Sequence, residues 1–324
     1  MRAEPSEPDY SAVRRRGRFR ALLRPLQYGL FFLLLALAGL LPVRVCQRLG
    51  AGLGGLLFVL ARRTREICLY HLGLAFPEMD QAARHELARR CFRHLCTVML
   101  EFLAIRRFRR EAERWVQVEG EQTLREAHRQ GRGVLVIMGH LGNWELQPLA
   151  FDQLRIPARA VGRFIVNPWL NKLLIGLRES EFFTVIRQES SSSSRELLRC
   201  LKAGDLLVTY MDLDTHVPGE FVDFFGMPAY TPRGAASLAL RQGLPVVTGF
   251  GTRRPDGTHL FRFEAVTLPA GLKDRPEGVR EATRILTEVI EKNIRANPEQ
   301  WIWIHKRWRR RPGKDGKPVK DPAA

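Results

Sequence analysis

Residues able to do acid–base chemistry gather in one short stretch, VLVIMGHLGNWELQP, running from Val134 to Pro148. The apolar run reads as a buried strand ending at Met138. Gly139 and Gly142 then flank His140, and a helix is expected to begin near Asn143. The carboxyl end of a strand, where it turns into a helix, is where an α/β sheet presents its ligand site. His140 and Glu145 are five positions apart; on a straight helix they would point roughly 140° apart and would not meet. A tight glycine-assisted turn lets the imidazole fold back to the carboxylate. The carboxylate would then accept Nδ1–H, fix the tautomer and stabilise the imidazolium, leaving Nε2 to take a proton. No serine or cysteine nucleophile stands beside the pair, so the chemistry expected is removal of a proton from a substrate hydroxyl, which itself attacks an acyl donor. On spacing alone a satisfied core histidine is the stronger reading; the glycines, the preceding strand and the adjacent Trp144 weigh for a site.

The elements that must position this pair can be read from periodicity. From Arg62 to about Ile105 the pattern is helical, with Asp80 as N-cap and Leu87, Cys91, Leu95, Met99 and Phe102 recurring at three-to-four spacing. Beyond Trp115, strands are expected over 133–138, 184–186, 206–211, 245–252 and 260–266. Helices are expected over 144–154, 195–202, 235–241 and 280–296, and Ser190 to Ser194 reads as a loop and cap. Alternation of this kind predicts an α/β fold, a mixed sheet flanked by helices.

Ahead of it, Leu26 to Val43 is an uncharged apolar run bracketed by Pro25 and Pro42; its length of about 27 Å is just enough for a hydrocarbon core. The run from Leu49 to Ala61 is too short to span, and is expected to dip into the interface or to pack against the first helix. Arginines flank the first run on both sides, so the positive-inside rule does not choose an orientation. A cleaved secretory signal competes with a retained anchor, but the small-residue site Ala36-Leu37-Ala38 falls inside the apolar run. The organisation expected is a basic mobile N-terminus over 1–24, membrane-anchoring or interfacial helices over 25–62, a catalytic domain over 63–305 and a basic tail over 306–324.

With 52 Lys and Arg against 34 Asp and Glu, the 324-residue chain carries a formal charge of +18. Such a surface expects anionic company. The basic residues are spread along the chain and show no zinc-finger, helix-turn-helix or RNA-recognition pattern, so no nucleic-acid partner is expected. The five cysteines are odd in number and without CxxC, as befits buried thiols in a reducing compartment. No histidine pair has metal spacing with a third ligand, so no metal is expected. P-loop and serine-hydrolase signatures are absent. His305, among Trp301, Trp303 and Trp308, reads as part of a packed, membrane-proximal closing element.

HLGNWE, with FFGMPAYTPRGAASLA (224–239), NPEQWIWIHKRW (297–308) and TREICLYHLGLAFPEMD (64–80), resembles the late acyltransferases of bacterial lipid A biosynthesis. These belong to the wider HxxxxD/E glycerolipid acyltransferase group. The resemblance spans roughly residues 20–310 in register. It implies a membrane-associated O-acyltransferase of the bacterial inner membrane, catalytic domain on the cytoplasmic side. The donor would be acyl carrier protein, or coenzyme A, as acyl-ACP or acyl-CoA co-substrate; the acceptor would be a hydroxyl of an anionic membrane lipid, a lipid A precursor or a relative. No bound cofactor is implied. His140 matches the family's catalytic base and Glu145 its acidic partner.

Asn143 lies inside the same motif and is a candidate substrate contact. Arg163, in VGRFIVNPWLNKLLIGLRES, is a candidate for binding a phosphate or the oxyanion. The family's Asp-Gln-Asp block reads Asp212-Leu213-Asp214 here, keeping both carboxylates and losing the amide. Asp212 at a strand end is equally a turn former. For Arg163 a solvated surface arginine is the plain alternative; Arg233, followed by Gly234 at a helix start, is placed to hold an anionic group. Other acceptors, such as a lyso-phospholipid or another glycolipid, and a catalytically silent membrane scaffold, remain the alternatives.

Overall fold

Strand β2 (Val134–Met138) is apolar at every position and wholly buried, as expected of a strand covered on both faces. In the computed structural model, which describes residue 29 and residues 37–162, 167–187, 193–313 and 317–320, it sits at the centre of a seven-stranded sheet. The other strands are β1 (Val116–Glu119), β3 (Ala158–Gly162), β4 (Phe183–Arg187), β5 (Leu206–Tyr210), β8 (Val246–Arg253) and β9 (His259–Val266), in the order β1-β9-β8-β2-β5-β3-β4. All neighbouring pairs are parallel except the hairpin β8–β9. The sheet is therefore mixed and flanked by helices, the α/β class expected.

Side chains of a strand alternate between faces, and β2 shows the result. Leu135 and Ile137 enter one core with α2 (Arg62–Ala75), α3 (Gln81–Leu103) and α11 (Pro276–Ala296). Val134, Val136 and Met138 enter another with α6 (Glu121–Arg129) and α7 (Gln147–Leu154). Each such fully buried side chain stabilises the fold by roughly 1.5–3 kcal/mol. Asp80 caps α3 as its sequence position suggested, accepting from the Ala83 N–H at 2.7 Å.

A separate two-stranded ribbon, β6 (Gly219–Phe224) and β7 (Met227–Pro232), lies against α11. Phe225 occupies its turn with φ 57°, a conformation costly for a bulky residue. Burial holds it there: its ring packs edge-on with Trp303 and with Phe76, at a centroid distance of 5.5 Å in each case, and the Arg295 guanidinium sits 4.4 Å from its centroid.

The N-terminal region differs from expectation in one respect. Most of the 26–43 run lies outside the described residues, but a helix, α1 (Val43–Leu60), begins directly after Pro42 and takes in the second, shorter apolar run. It is long and apolar enough to cross a membrane, with mean hydropathy 1.4. Instead of standing apart from the catalytic domain, α1 packs along α3. Gly50 and Gly54 permit this: a Cβ on Gly54 would lie 2.5 Å from the Arg93 Cα, and one on Gly50 2.6 Å from the Thr97 Cα. The opposite side of α1 exposes Leu49, Leu53, Leu56 and Leu60.

The basic tail also begins later than expected. Arg307 and Trp308 are buried, because Arg307 reaches inward to the Tyr230 carbonyl at 2.6 Å and the Thr231 hydroxyl at 2.5 Å. The cysteines are free and, apart from Cys96, buried.

Candidate active site

Sheet register builds the site. Parallel neighbours β2 and β5 pair Met138 with Tyr210, so His140 and Asp212 each stand two residues beyond paired strand ends, side by side. His140 Nδ1 lies 2.9 Å from Asp212 Oδ1; the acceptor is a carboxylate, so Nδ1 carries the proton. The His140 backbone N–H donates to Asp212 Oδ2 at 2.6 Å and the Trp301 indole N–H to the same oxygen at 2.8 Å. Burial alone would raise the Asp212 pKa, but the His140 charge and these donors outweigh it and hold the carboxyl below its ordinary value. Asp212 has no exposed side-chain surface, whereas the His140 side chain is 24% exposed. Its Nε2 has no hydrogen-bond partner among the described residues. Rings of Tyr210 and Trp144 flank the imidazole at centroid distances of 4.7 Å and 5.3 Å.

The expected fold-back of His140 onto Glu145 is not what the structure has. A single turn of 3₁₀ helix, Trp144–Leu146, carries Glu145 to Arg178 at the end of α8 (Pro168–Arg178). The guanidinium clamps it in two bonds, Nε to Oε2 at 2.7 Å and a terminal nitrogen to Oε1 at 2.6 Å. Glu145 Oε1 also accepts from the Trp144 indole at 3.2 Å, and Trp144 is the ring edge-on to His140. The pair His140–Glu145 is thus joined through Trp144, while Asp212 takes the Nδ1 position assigned to Glu145 from the sequence.

The loop between is held from below. Gly142 has φ 61°, and a Cβ there would lie 2.6 Å from the Gly251 carbonyl carbon, so only glycine fits. Its N–H donates to the Gln300 carbonyl at 3.0 Å, and Leu141 bridges to Trp301. Its carbonyl accepts from His94 Nε2 at 3.0 Å. Asn143 is fully buried: its amide donates to Glu101 Oε2 at 2.7 Å while its oxygen caps the Glu145 N–H at 3.1 Å. That makes it a brace of the loop.

Glu101, itself without exposed surface, gathers further donors: Gln47 at 2.8 Å, Arg253 through Nε at 3.2 Å and through a terminal nitrogen, and His259 Nε2 at 3.1 Å. Burial opposes its ionisation, yet Arg253 and His259 more than offset this and keep it well below the usual carboxylate range. Burial and the Arg253 charge push His94 down to about 3. No spacing rule in the sequence connects these residues.

The remaining candidates fall elsewhere. Asp214, buried, binds Arg309 and Arg310 and so fastens the C-terminal strand β10 (Arg310–Pro312). Arg233, at the start of α10 (Gly234–Gln242), is ion-paired to Glu220 at 2.7 Å. Arg163 lies outside the described residues. His305 is close enough to the site for Asp212 and His140 to influence it, and burial brings its pKa down to about 4; its buried Nδ1 has no hydrogen-bond partner among the described residues. Among the described residues no group of three or more His, Cys, Asp or Glu is arranged to hold a metal ion.

An oriented imidazole with one open nitrogen is chemically able to take a proton from a hydroxyl. Residues 16–310 match the family model of the bacterial lipid A biosynthesis acyltransferase. The chain belongs to this family. It is therefore an acyltransferase. It is 29% identical over 306 residues to a lipid A biosynthesis lauroyltransferase of Escherichia coli, covering 90% of this chain and 95% of that one. It is 27% identical over 295 residues to a lipid A biosynthesis palmitoleoyltransferase of the same organism, covering 84% and 87%. A phosphatidylinositol mannoside acyltransferase of Mycobacterium tuberculosis is 26% identical over 183 residues, 55% of each chain.

Proposed function

We propose that this acyltransferase moves a fatty acyl chain from a thioester donor, acyl carrier protein or coenzyme A, onto a hydroxyl of a lipid A precursor. The observation that carries the mechanism is the unpartnered Nε2 of His140 behind a Nδ1–H held by Asp212. Nε2 takes the hydroxyl proton, the alkoxide oxygen attacks the thioester carbonyl, and the tetrahedral intermediate expels the thiolate, which takes the proton back from Nε2. The carboxylate of Asp212 steadies the transient imidazolium. Glu145 acts as a positioning residue, tying Trp144, the ring edge-on to His140, to Arg178. Asp214, Asn143 and Arg233 enter this reading as supports for the fold, and Arg163 is kept as a candidate contact for an anionic group. No step calls for a metal or a bound organic cofactor.

Membrane association is part of the same reading. The exposed leucines of α1 form an apolar stripe of the sort that marks a membrane contact. Because the other side of α1 is locked to α3 by backbone contact, the geometry favours a helix lying in the interface with the catalytic body beside it. The +18 charge suits an acidic carrier protein and an anionic lipid acceptor on the cytoplasmic side of the inner membrane.

The test is transfer by purified His140→Ala with labelled acyl donor and acceptor lipid: transfer is lost while vesicle binding persists. Near-normal turnover would end the proposal. The partial match to phosphatidylinositol mannoside acyltransferases favours one second reading, a different glycolipid acceptor. Mass spectrometry of total lipids from cells with and without the gene separates the two.

A further inference from the structure

A pocket of about 570 Å³ opens between the first turns of α1, the middle of α3 and the β8–β9 turn. Arg44, Arg48 and Arg93 line it; all three are exposed, and none has an ion-pair or hydrogen-bond partner among the described residues. The other two arginines of the lining are committed, Arg253 to Glu101 and Arg254 to Glu119 at 3.2 Å. Two carboxylates also face it. Asp256 accepts at Oδ1 from the Thr258 N–H and hydroxyl, at 2.9 Å and 2.7 Å, and keeps its charge, so that it and Glu299 oppose the five arginines of the lining. The α1 helix starts here with no side-chain cap and no acidic residue in its first turn, so its positive end adds to the field. Guanidiniums left unpaired around a concavity are the arrangement that phosphate oxygens satisfy.

We propose that this pocket binds the phosphate of an acyl-bearing lipid at the bilayer surface. The lipid source follows from α1 itself. Arg44, Arg48 and Ala51 make one stripe of the helix, and Leu49, Leu53, Leu56 and Leu60 make another. One helix thereby offers a cationic seat for a headgroup and an apolar face for acyl chains. The pocket also backs onto the catalytic loop, since His94 in its wall holds the Gly142 carbonyl. The inference concerns binding alone and does not depend on acyl transfer.

Calorimetric titration of the full-length protein in an uncharged detergent tests it, with dihexanoyl phosphatidic acid in one arm and inorganic phosphate in the other. The triple variant Arg44→Gln/Arg48→Gln/Arg93→Gln is expected to weaken lipid binding about tenfold or more. Arg63→Gln/Arg90→Gln/Arg129→Gln removes the same charge from exposed positions outside the pocket and is expected to stay within about twofold. Single Arg48→Gln, the mildest change, moves in the direction of the pocket triple. Inorganic phosphate binding as tightly as the lipid, with the same dependence on the pocket arginines, would overturn the lipid assignment in favour of a free phosphate. Equal losses in both triple variants, or no binding by the parent protein, would overturn the site.

Discussion

Two histidine–carboxylate pairs stand on this sheet, and they are built for opposite ends. His259 and Glu101 lie 3.1 Å apart with no exposed side-chain surface on either, and Glu101 is shared among Gln47, Asn143 and Arg253 as well. His140 and Asp212 lie 2.9 Å apart, the carboxylate equally buried, but the imidazole reaches solvent with one nitrogen open. In both an imidazole faces a carboxylate. His259 Nδ1 is also without a partner among the described residues but is sealed from solvent, so what sets His140 apart is access to its vacant lone pair. The difference also divides labour: the closed cluster ties α1, α3, β8 and β9 to the Asn143 loop, and the open pair uses the rigidity so obtained.

That contrast can be broken by substitution. His140→Ala should lower transfer roughly 10²- to 10⁴-fold with an unchanged denaturant midpoint, read from single-turnover assays beside urea melts. Asp212→Asn should approach the same loss, since one amide oxygen cannot serve three donors and the imidazole tautomer is freed. Glu145→Gln, acting only through Trp144 and Arg178, should cost about tenfold. A larger loss for Glu145→Gln than for Asp212→Asn would reverse the roles assigned to the two carboxylates.

The closed cluster should answer in stability. Glu101→Ala leaves the Arg253 cation and three further donors buried without their acceptor, and should destabilise by about 3–5 kcal/mol in urea unfolding. Gly54→Ala sets a methyl against the α3 backbone and should cost about 1–3 kcal/mol; a neutral result would show that α1 does not need its close seat.

Acid sharpens the comparison more gently. His94 is held neutral down to about 3 and His305 down to about 4, whereas the unfolded imidazoles take up protons near 6.5. The unfolded chain thus binds more protons below that pH, and stability should fall as pH drops from about 6.5 toward 3–4. Asp212 and Glu101, depressed below the ordinary carboxylate range, add losses from about pH 4 downward, where the unfolded carboxyls begin to take up protons. Urea melts between pH 8 and 5 check this: the decline should shrink in His94→Gln.

Much of the frame was legible because period and burial agree. The β2 strand, the Asp80 cap and the helix ending at Ala296 lie where alternation and three-to-four spacing put them. The β6–β7 ribbon was not, since its two prolines and the Phe225-Gly226 turn read as loop. His140 was legible from its glycines and the strand before it. The partner of its Nδ1 was not, although Asp212 stood among the candidates, because local spacing favours a residue five away and pairing across a sheet needs the register of two strands. Arg178 lay in the same block as Arg163 and carried no separate signal. The Glu101 cluster draws on residues from 47 to 259 and becomes visible only when the chain is folded.

The Trp301 indole and the Gln300 carbonyl, which fasten Asp212 and Gly142, come from the last tenth of the chain. Two consecutive residues of one turn thus secure both the carboxylate beside the imidazole and the glycine turn that presents it. A single perturbation of that turn would therefore slacken both fastenings at once.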